Sequence, residues 1–284
     1  MKFYRFSFLV FAVLAMACQT SGPETIVTEV PRPLGKLMII GGGERTILLM
    51  SDICRHAGLQ PGDTVGILPM SSETPDSAFI WSSERFLELG YPCRNLDTNL
   101  PENQTGLRQK MEGLKLVFIS GGDQNRFMDS ARKSGLDMLL PELYNGGLSV
   151  SGTSAGAAVM SEIMMTGNQK FEPEYEGTYS RLWAGNGEYA SGLGLLKDVI
   201  VDQHFIARSR YNRALSALCD HPGVGIWGIE ESTAALVSGD SLTVLGSDQI
   251  VIFSPVAACD TLNRRIGMSS VQIKVLLPGQ SIKF

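Results

Sequence analysis

Apolar residues fall into short dense runs separated by stretches with helical spacing. Lys36 to Ile40 is a buried-strand run ending in Gly41-Gly42-Gly43, and from Glu44 to Ala57 the apolar period becomes helical. The alternation continues with strands predicted over 64–68, 93–96, 116–119 and 148–151. Helices are predicted over 75–89, with Phe79, Phe86 and Leu87 facing inward, and over 105–111. Repeated βα units imply an α/β fold with a mainly parallel sheet covered by helices on both faces, carrying ligand groups at the C-terminal strand ends. The second half changes character. Residues 166–194 are rich in Gly, Tyr and Glu with weak periodicity, and read as a long active-site loop or subdomain. A strand at 198–202, a helix at 205–219 and a strand at 224–229 follow. Antiparallel strands are then predicted at 234–237, 242–245 and 250–253, and 271–277 closes the chain.

The first residues do not belong to this pattern. Met1-Lys2-Phe3-Tyr4-Arg5 is a positive start, Phe6 to Met16 an apolar core, and Ala15-Met16-Ala17-Cys18 a small-residue close. Residues 1–17 therefore read as a signal peptide, 18–34 as a polar tether and 35–284 as one folded domain. Cys18 directly after the cut favours a lipidated, membrane-anchored exported protein over a freely secreted one. The 284 residues carry 44% hydrophobic and 19% charged residues, ordinary for a globular domain, and a formal net charge of −5 leaves no basic footprint for nucleic acid. Cys54, Cys93, Cys219 and Cys259 show no metal-ligand or redox spacing and are expected to be buried free thiols, with pairing left open. No metal or cofactor is called for. Oligomeric state, a homodimer included, is not set by the sequence.

The chemistry concentrates at Leu148-Ser149-Val150-Ser151-Gly152-Thr153-Ser154-Ala155-Gly156, a strand running into Gly-x-Ser-x-Gly with small residues after it. This is the layout of a nucleophile elbow, where a tight strand-to-helix turn lifts a serine hydroxyl above the sheet edge. Glycines suit 152 and 156 because strand and helix pass too close for β-carbons. The amides behind Ser154 face the point where negative charge would develop.

A serine hydroxyl needs a base, and the chain has only three histidines. His56 lies on the first helix, away from the ligand edge, and His221 precedes Pro222 past a helix end. His204 ends the buried run Val199 to Gln203, at the edge expected for Ser154, and is the candidate base. The residue that orients it stays open among Glu172, Glu174, Glu176 and Asp202. Ser120-Gly121-Gly122-Asp123-Gln124 is a second glycine turn at a strand end, able to pair the Gly122 amide with that of Ala155 as an oxyanion hole. Gly41-Gly42-Gly43-Glu44 lacks the rest of a phosphate-binding motif. Arg208, Arg210 and Arg213 crowd the segment after His204, and arginine forks suit carboxylates.

Five segments in order resemble the cyanophycinase and aspartyl dipeptidase family of serine peptidases. They are Gly-Gly-Gly-Glu (41–44), Ser-Gly-Gly-Asp-Gln (120–124), Gly-Thr-Ser-Ala-Gly-Ala-Ala-Val-Met (152–160), Asp-Gln-His-Phe with three arginines (202–213) and Gly-Ile-Glu-Glu-Ser-Thr-Ala (228–234). The resemblance implies a flavodoxin-like, three-layer fold of the class I glutamine amidotransferase type, with Ser154 as nucleophile and His204 as base. By the family's pattern the acidic third member falls on Glu172, with Glu174 as rival. Gln124, Asp202, Gln203, Arg208, Arg210 and Arg213 match pocket positions, and Ser232 replaces a pocket asparagine. The implied substrate is a peptide or isopeptide containing aspartate, such as cyanophycin, a polyaspartate bearing arginine on its side chains. A small-peptide aspartyl dipeptidase, or a surface binding lipoprotein on the same fold, are the alternatives. For the anchor, a Cys18→Ala variant should leave the membrane fraction; unchanged membrane attachment contradicts lipidation at Cys18.

Overall fold

The computed structural model describes residues 1, 32–100, 106–172, 174 and 177–284. The expected signal peptide, most of the tether and Cys18 lie outside the described residues, as does Glu176.

Five adjacent parallel strands make up one side of an α/β sheet: β1 (Leu37–Ile40), β2 (Val65–Leu68), β3 (Cys93–Asn95), β4 (Leu116–Ile119) and β5 (Ser149–Thr153). The helices between them are α1 (Ile47–His56), α2 (Pro75–Glu88), α3 (Leu107–Met111), α4 (Gln124–Ser134) and α5 (Leu136–Asn145). Further along come α6 (Ala155–Ala158), the ribbon β6 (Ile163–Gln169) and β7 (Gly187–Ser191), then β8 (Val199–Gln203), α7 (Tyr211–Asp220) and β9 (Gly225–Ile229). The chain ends in strands: β10 (Thr233–Ser238), β11 (Ser241–Gly246), β12 (Ile250–Phe253), the hairpin β13 (Asp260–Leu262) and β14 (Arg265–Gly267), β15 (Ile273–Leu276) and β16 (Ser281–Lys283). The large sheet has the order β16-β11-β10-β1-β5-β4-β2-β3, with β10, β11 and β16 antiparallel.

The continuous apolar run of β1 reflects burial on both faces. Leu37 and Ile39 join Val150, Ile119 and Phe127 on one side, while Met38 and Ile40 join Ile53, Ile67 and Phe118 on the other. In α2, Phe86 is buried as expected and Phe79 packs beside it, but Leu87 is exposed. The buried side of α2 is carried by Ala78, Ser82, Ser83 and Phe86, and Leu87, about 100° further round the helix, falls outside it.

Three other expectations change. First, β8 and β9, parallel to one another, belong to a second sheet of order β15-β12-β9-β8. The two sheets are joined by the His204 N–H donating to the Gly41 carbonyl at 2.7 Å. Second, the helix expected over 205–219 begins only at Tyr211, because His204 (φ 49°) and Ser209 (φ 50°) adopt left-handed backbone that no α-helix accommodates. Third, the ends of the expected loop at 166–194 include regular structure, since β6 reaches Gln169 and β7 covers Gly187–Ser191, and the two pair antiparallel.

Cysteine usage also differs from expectation. Cys219 and Cys259 form a disulfide with Cα atoms 5.5 Å apart, joining the last turn of α7 to the segment after β12. Cys54 and Cys93 are free, and burial pushes the Cys54 thiol up to about 12, which makes it a poor nucleophile.

The elbow is built as its glycines imply. A β-carbon on Gly152 would lie 2.6 Å from the Gly156 carbonyl oxygen, and one on Gly156 would collide with the carbonyl of Ile119. The turn leaves Ser154 at φ 53°, ψ −110°, a strained conformation for a residue with a side chain.

Candidate active site

Two strand ends from two sheets supply the centre. Ser154 follows β5, and its N–H donates to the Ile40 carbonyl at 3.1 Å, which pins the elbow to β1. His204 follows β8. Its Nε2 lies 2.9 Å from Ser154 Oγ and its Nδ1 lies 2.5 Å from Glu231 Oε1. A carboxylate only accepts, so Nδ1 carries the ring proton and Nε2 is left to accept from the serine hydroxyl. Burial holds the His204 imidazole below its ordinary value; the hydrogen bond to Glu231 opposes this, and the charges of Arg208 and Arg210 reinforce it. The ring is therefore neutral near pH 7, the form a base requires.

The three glycines after β1 make room for this arrangement. A β-carbon on Gly42 (φ 111°) would lie 2.5 Å from His204 Nε2 and closer still to Cε1. One on Gly43 would lie 2.5 Å from the β-carbon of Glu231, and one on Gly41 would collide with the carbonyls of Ile229 and Glu230. The motif read as an incomplete phosphate loop is the bare backbone against which the histidine and its carboxylate pack.

Glu231 was not among the acidic candidates. Glu172, expected behind the histidine, instead accepts from Ser180 Oγ at 2.9 Å and pairs with Arg181 at 3.4 Å, and Glu174 is exposed. Just beyond them, Gly177 and Tyr179 are anchored to the start of α7 by Arg210, its N-cap, and by Asn212, and among the described residues neither Glu172 nor Glu174 is hydrogen-bonded to His204. The neighbouring Glu230 serves the backbone. Its carboxylate accepts from the Ile206 amide and, at 3.0 Å, from that of Ala207, closing the turn after His204. The signal for Glu231 lay in Gly228 to Ala234, a segment that stands out in the sequence, though only Ser232 within it drew a role there.

A pocket of about 240 Å³ opens beside Ser154, lined among others by Gly122, Gln124, Gln203, Arg208, Arg210 and Arg213. Asp202 is fully buried beneath it and grips Arg213 with both oxygens, Nε at 2.7 Å on Oδ2 and Nη2 on Oδ1. It also accepts from Arg210 Nη1 at 3.3 Å. Asp202 is thus a buried counter-ion for the pocket's arginines, and does not itself line the cavity. Arg208 is exposed, and among the described residues its guanidinium has no acidic partner. Gln124, buried, donates through Nε2 to the carbonyls of Met165 (3.1 Å) and Thr166 (2.6 Å), which fixes its side chain in the wall.

The turn at 121–122 passes directly beside the serine: a β-carbon on Gly121 would touch that of Ser154 at 3.5 Å. Gly122 (φ 140°) leaves no space for a side chain against Ser71. Among the described residues neither the Gly122 nor the Ala155 amide is hydrogen-bonded, so both are free to bind an anionic oxygen. Ser232 departs from expectation. It does not line the pocket, and its contribution is backbone: its N–H donates to the Gly42 carbonyl at 2.8 Å, holding the glycine loop to the Glu231 turn.

A half-buried hydroxyl, a neutral histidine and a carboxylate in line at the edge of an α/β sheet define a hydrolase of the serine-peptidase class. The chain belongs to peptidase family S51, whose model matches residues 37–245. It is 32% identical over 231 residues to a cyanophycinase of Synechococcus elongatus, covering 78% of this chain and 68% of the relative. It is 30% identical over 224 residues to a cyanophycinase of Geminocystis herdmanii, with 76% and 79% covered. The fold is similar to that of a crystal structure of a peptidase from an acI-B1 Actinobacterium, with a TM-score of 0.60, 22% identity, and 89% and 98% of the chains covered. A putative peptidase E protein from Listeria monocytogenes is a further structural neighbour, with a TM-score of 0.54, 17% identity, and 75% and 98% covered.

Replacing Glu231 with Gln removes the interaction that raises the His204 value, while burial and the two arginines that lower it remain. The acidic limb of the kcat/KM profile should therefore move to lower pH in Glu231→Gln, with kcat reduced about 10²–10⁴-fold. A limb that stays in place or moves to higher pH contradicts the assignment of Glu231.

Proposed function

We propose that the chain hydrolyses aspartyl peptide or isopeptide bonds through an acyl-enzyme, in the manner of a cyanophycinase. His204 Nε2 takes the Ser154 proton, Oγ attacks the substrate carbonyl carbon, and the amides of Gly122 and Ala155 hold the oxygen that becomes negative. His204, now protonated and stabilised by Glu231, gives its proton to the departing amine. Water then attacks the ester by the same route in reverse, and Ser154 is restored.

The observation that carries this reading is the line of Glu231, His204 and Ser154 opening into a pocket whose arginines are unequally neutralised. Asp202 offsets Arg213 and Arg210, which leaves Arg208 as an exposed cation at the pocket. A substrate carboxylate next to the scissile bond matches that charge, and the guanidinium fork suits it geometrically. The similarity to cyanophycinases over most of the chain supports aspartate as the source of that carboxylate.

The size of the pocket favours a second reading, a dipeptidase of the same family. At about 240 Å³ it falls below the range of roughly 300–1,000 Å³ usual for ligand pockets, so it suits one or two residues better than a long chain. The two readings share all the chemistry and differ only in what extends beyond the pocket.

Purified protein incubated with cyanophycin and with a panel of α- and β-aspartyl dipeptides separates them. Release of β-Asp-Arg supports the polymer hydrolase, and cleavage of dipeptides alone supports the second reading. Ser154→Ala should lose turnover while remaining folded, and Arg208→Ala should raise KM about 10–100-fold, the value of one charge-assisted contact, with a smaller change in kcat. Turnover retained in Ser154→Ala refutes the mechanism.

A further inference from the structure

We propose that the Cys219–Cys259 disulfide and the β13–β14 hairpin behind it are a positioning device for the pocket. They hold the strap at 177–185 along α7, and reducing the disulfide loosens it and weakens substrate binding. The kinetic half rests on the peptidase reading above; the structural half rests on geometry alone.

Helix α7 links the two places. At its start Arg210 and Arg213 line the pocket, and in its last turn Cys219 bonds to Cys259. The strap is fastened along this length. Arg210 Nε donates to the Gly177 carbonyl at 3.0 Å, Thr178 Oγ1 to the Ser209 carbonyl at 2.8 Å, and Asn212 Nδ2 to the Tyr179 carbonyl at 2.8 Å. At the far end the Gly185 amide donates to Asp220 Oδ1 at 2.6 Å, one residue beyond the disulfide.

The hairpin clamps the strap from outside. Trp183 forms a β-bridge with Arg265, and the Ala184 amide donates to the Arg264 carbonyl at 2.9 Å. The Arg264 guanidinium stacks 3.9 Å over the ring of Phe171, which meets Trp183 edge-on at 6.2 Å. Apart from these contacts with the strap, the hairpin buries little of itself. All of β13 is exposed, and in β14 only Ile266 is half-buried. A two-stranded hairpin without a buried face is marginal by itself, so a covalent tether one residue before β13 supplies what burial does not.

The strap touches the binding wall and not the reacting groups. Through Gly177 it fixes Arg210, which shares Asp202 with Arg213. Among the described residues no hydrogen bond or ion pair joins residues 177–185 to Ser154, His204 or Glu231. Loosening it should therefore raise KM and leave kcat nearly unchanged.

The test compares the full-length oxidised protein with the same protein treated with dithiothreitol. The reagent supplies two electrons and two protons to the disulfide, leaving two thiols, and is itself oxidised to its cyclic disulfide. Amide hydrogen exchange over 177–185 should quicken on reduction while β1, β4 and β5 stay protected. KM should rise about tenfold with kcat changed less than about twofold, in line with the cost of a displaced binding contact. Cys259→Ser should reproduce both effects and no longer respond to reductant. Arg264→Ala should quicken exchange in the strap, with Arg264→Lys restoring part of the protection. Unchanged exchange on reduction overturns the proposal, as does a quickened strap with an unchanged KM. If no aspartyl peptide is turned over at all, the peptidase reading of the substrate fails, and the exchange data alone decide for or against the disulfide as the strap's anchor.

Discussion

Everything at the centre depends on how closely the backbone of Gly41 to Gly43 approaches the segments that face it. The glycine loop ends a strand of the large sheet, while His204 ends a strand of the second sheet and Glu231 follows another. The ring and its carboxylate occupy the volume that two side chains would otherwise fill. The same loop supplies the two bonds that hold the opposing segments: Gly41 accepts from the His204 amide and Gly42 from the Ser232 amide. Serine, histidine and glutamate thus come from separate strand ends, and the bare loop lets them converge. Strain is stored at the points of convergence, since Ser154, His204 and Ser232 all have positive φ.

Electrostatics divides the site into two zones. Near Ser154 the only acid at hydrogen-bonding distance from the histidine, among the described residues, is Glu231, and burial together with two nearby arginines keeps the imidazole neutral. In the pocket, charge is arranged for recognition. Asp202, completely buried, would be costly alone and is matched by the paired guanidinium of Arg213 and by Arg210. That network fixes the wall, and among the described residues Arg208 has no acidic partner, which in the proposed reaction lets it answer an anionic substrate. In the proposed reaction the acid that matters for catalysis and the acid that shapes the pocket are therefore different residues, carried by neighbouring strands and opposite in purpose.

What could be read from the chain was whatever local pattern determines. The parallel strands were legible because residues buried on both faces produce unbroken apolar runs, as at Leu37 to Ile40. The elbow was legible because Gly152 and Gly156 are required by contacts within a few residues of the serine. His204 could be reached by elimination, since a chain with three histidines places only one at the right strand end. Glu231 could not, because its proximity to His204 arises where two sheets meet, and no spacing encodes that meeting. The resemblance placed the acid at Glu172, whose carboxylate is instead engaged by Ser180 and Arg181. The same limit hid the disulfide, whose cysteines are 40 residues apart with four strands' worth of topology to bring them together. Gly41 to Gly43 were visible from the start but their use was not, since a glycine run signals close approach without saying of what.

The central claim is that bare backbone at Gly42 holds His204 in line with Ser154 and so makes that hydroxyl a nucleophile. A fluorophosphonate, which reacts only with an activated serine, tests it by mass spectrometry of the intact and digested protein. The account predicts one adduct, on Ser154, in the unaltered chain. It predicts labelling slowed at least about 100-fold in Gly42→Ala, where the imidazole must leave its place, with the far-ultraviolet circular dichroism unchanged. Equal labelling rates in the two proteins, or an adduct on another serine, would contradict it.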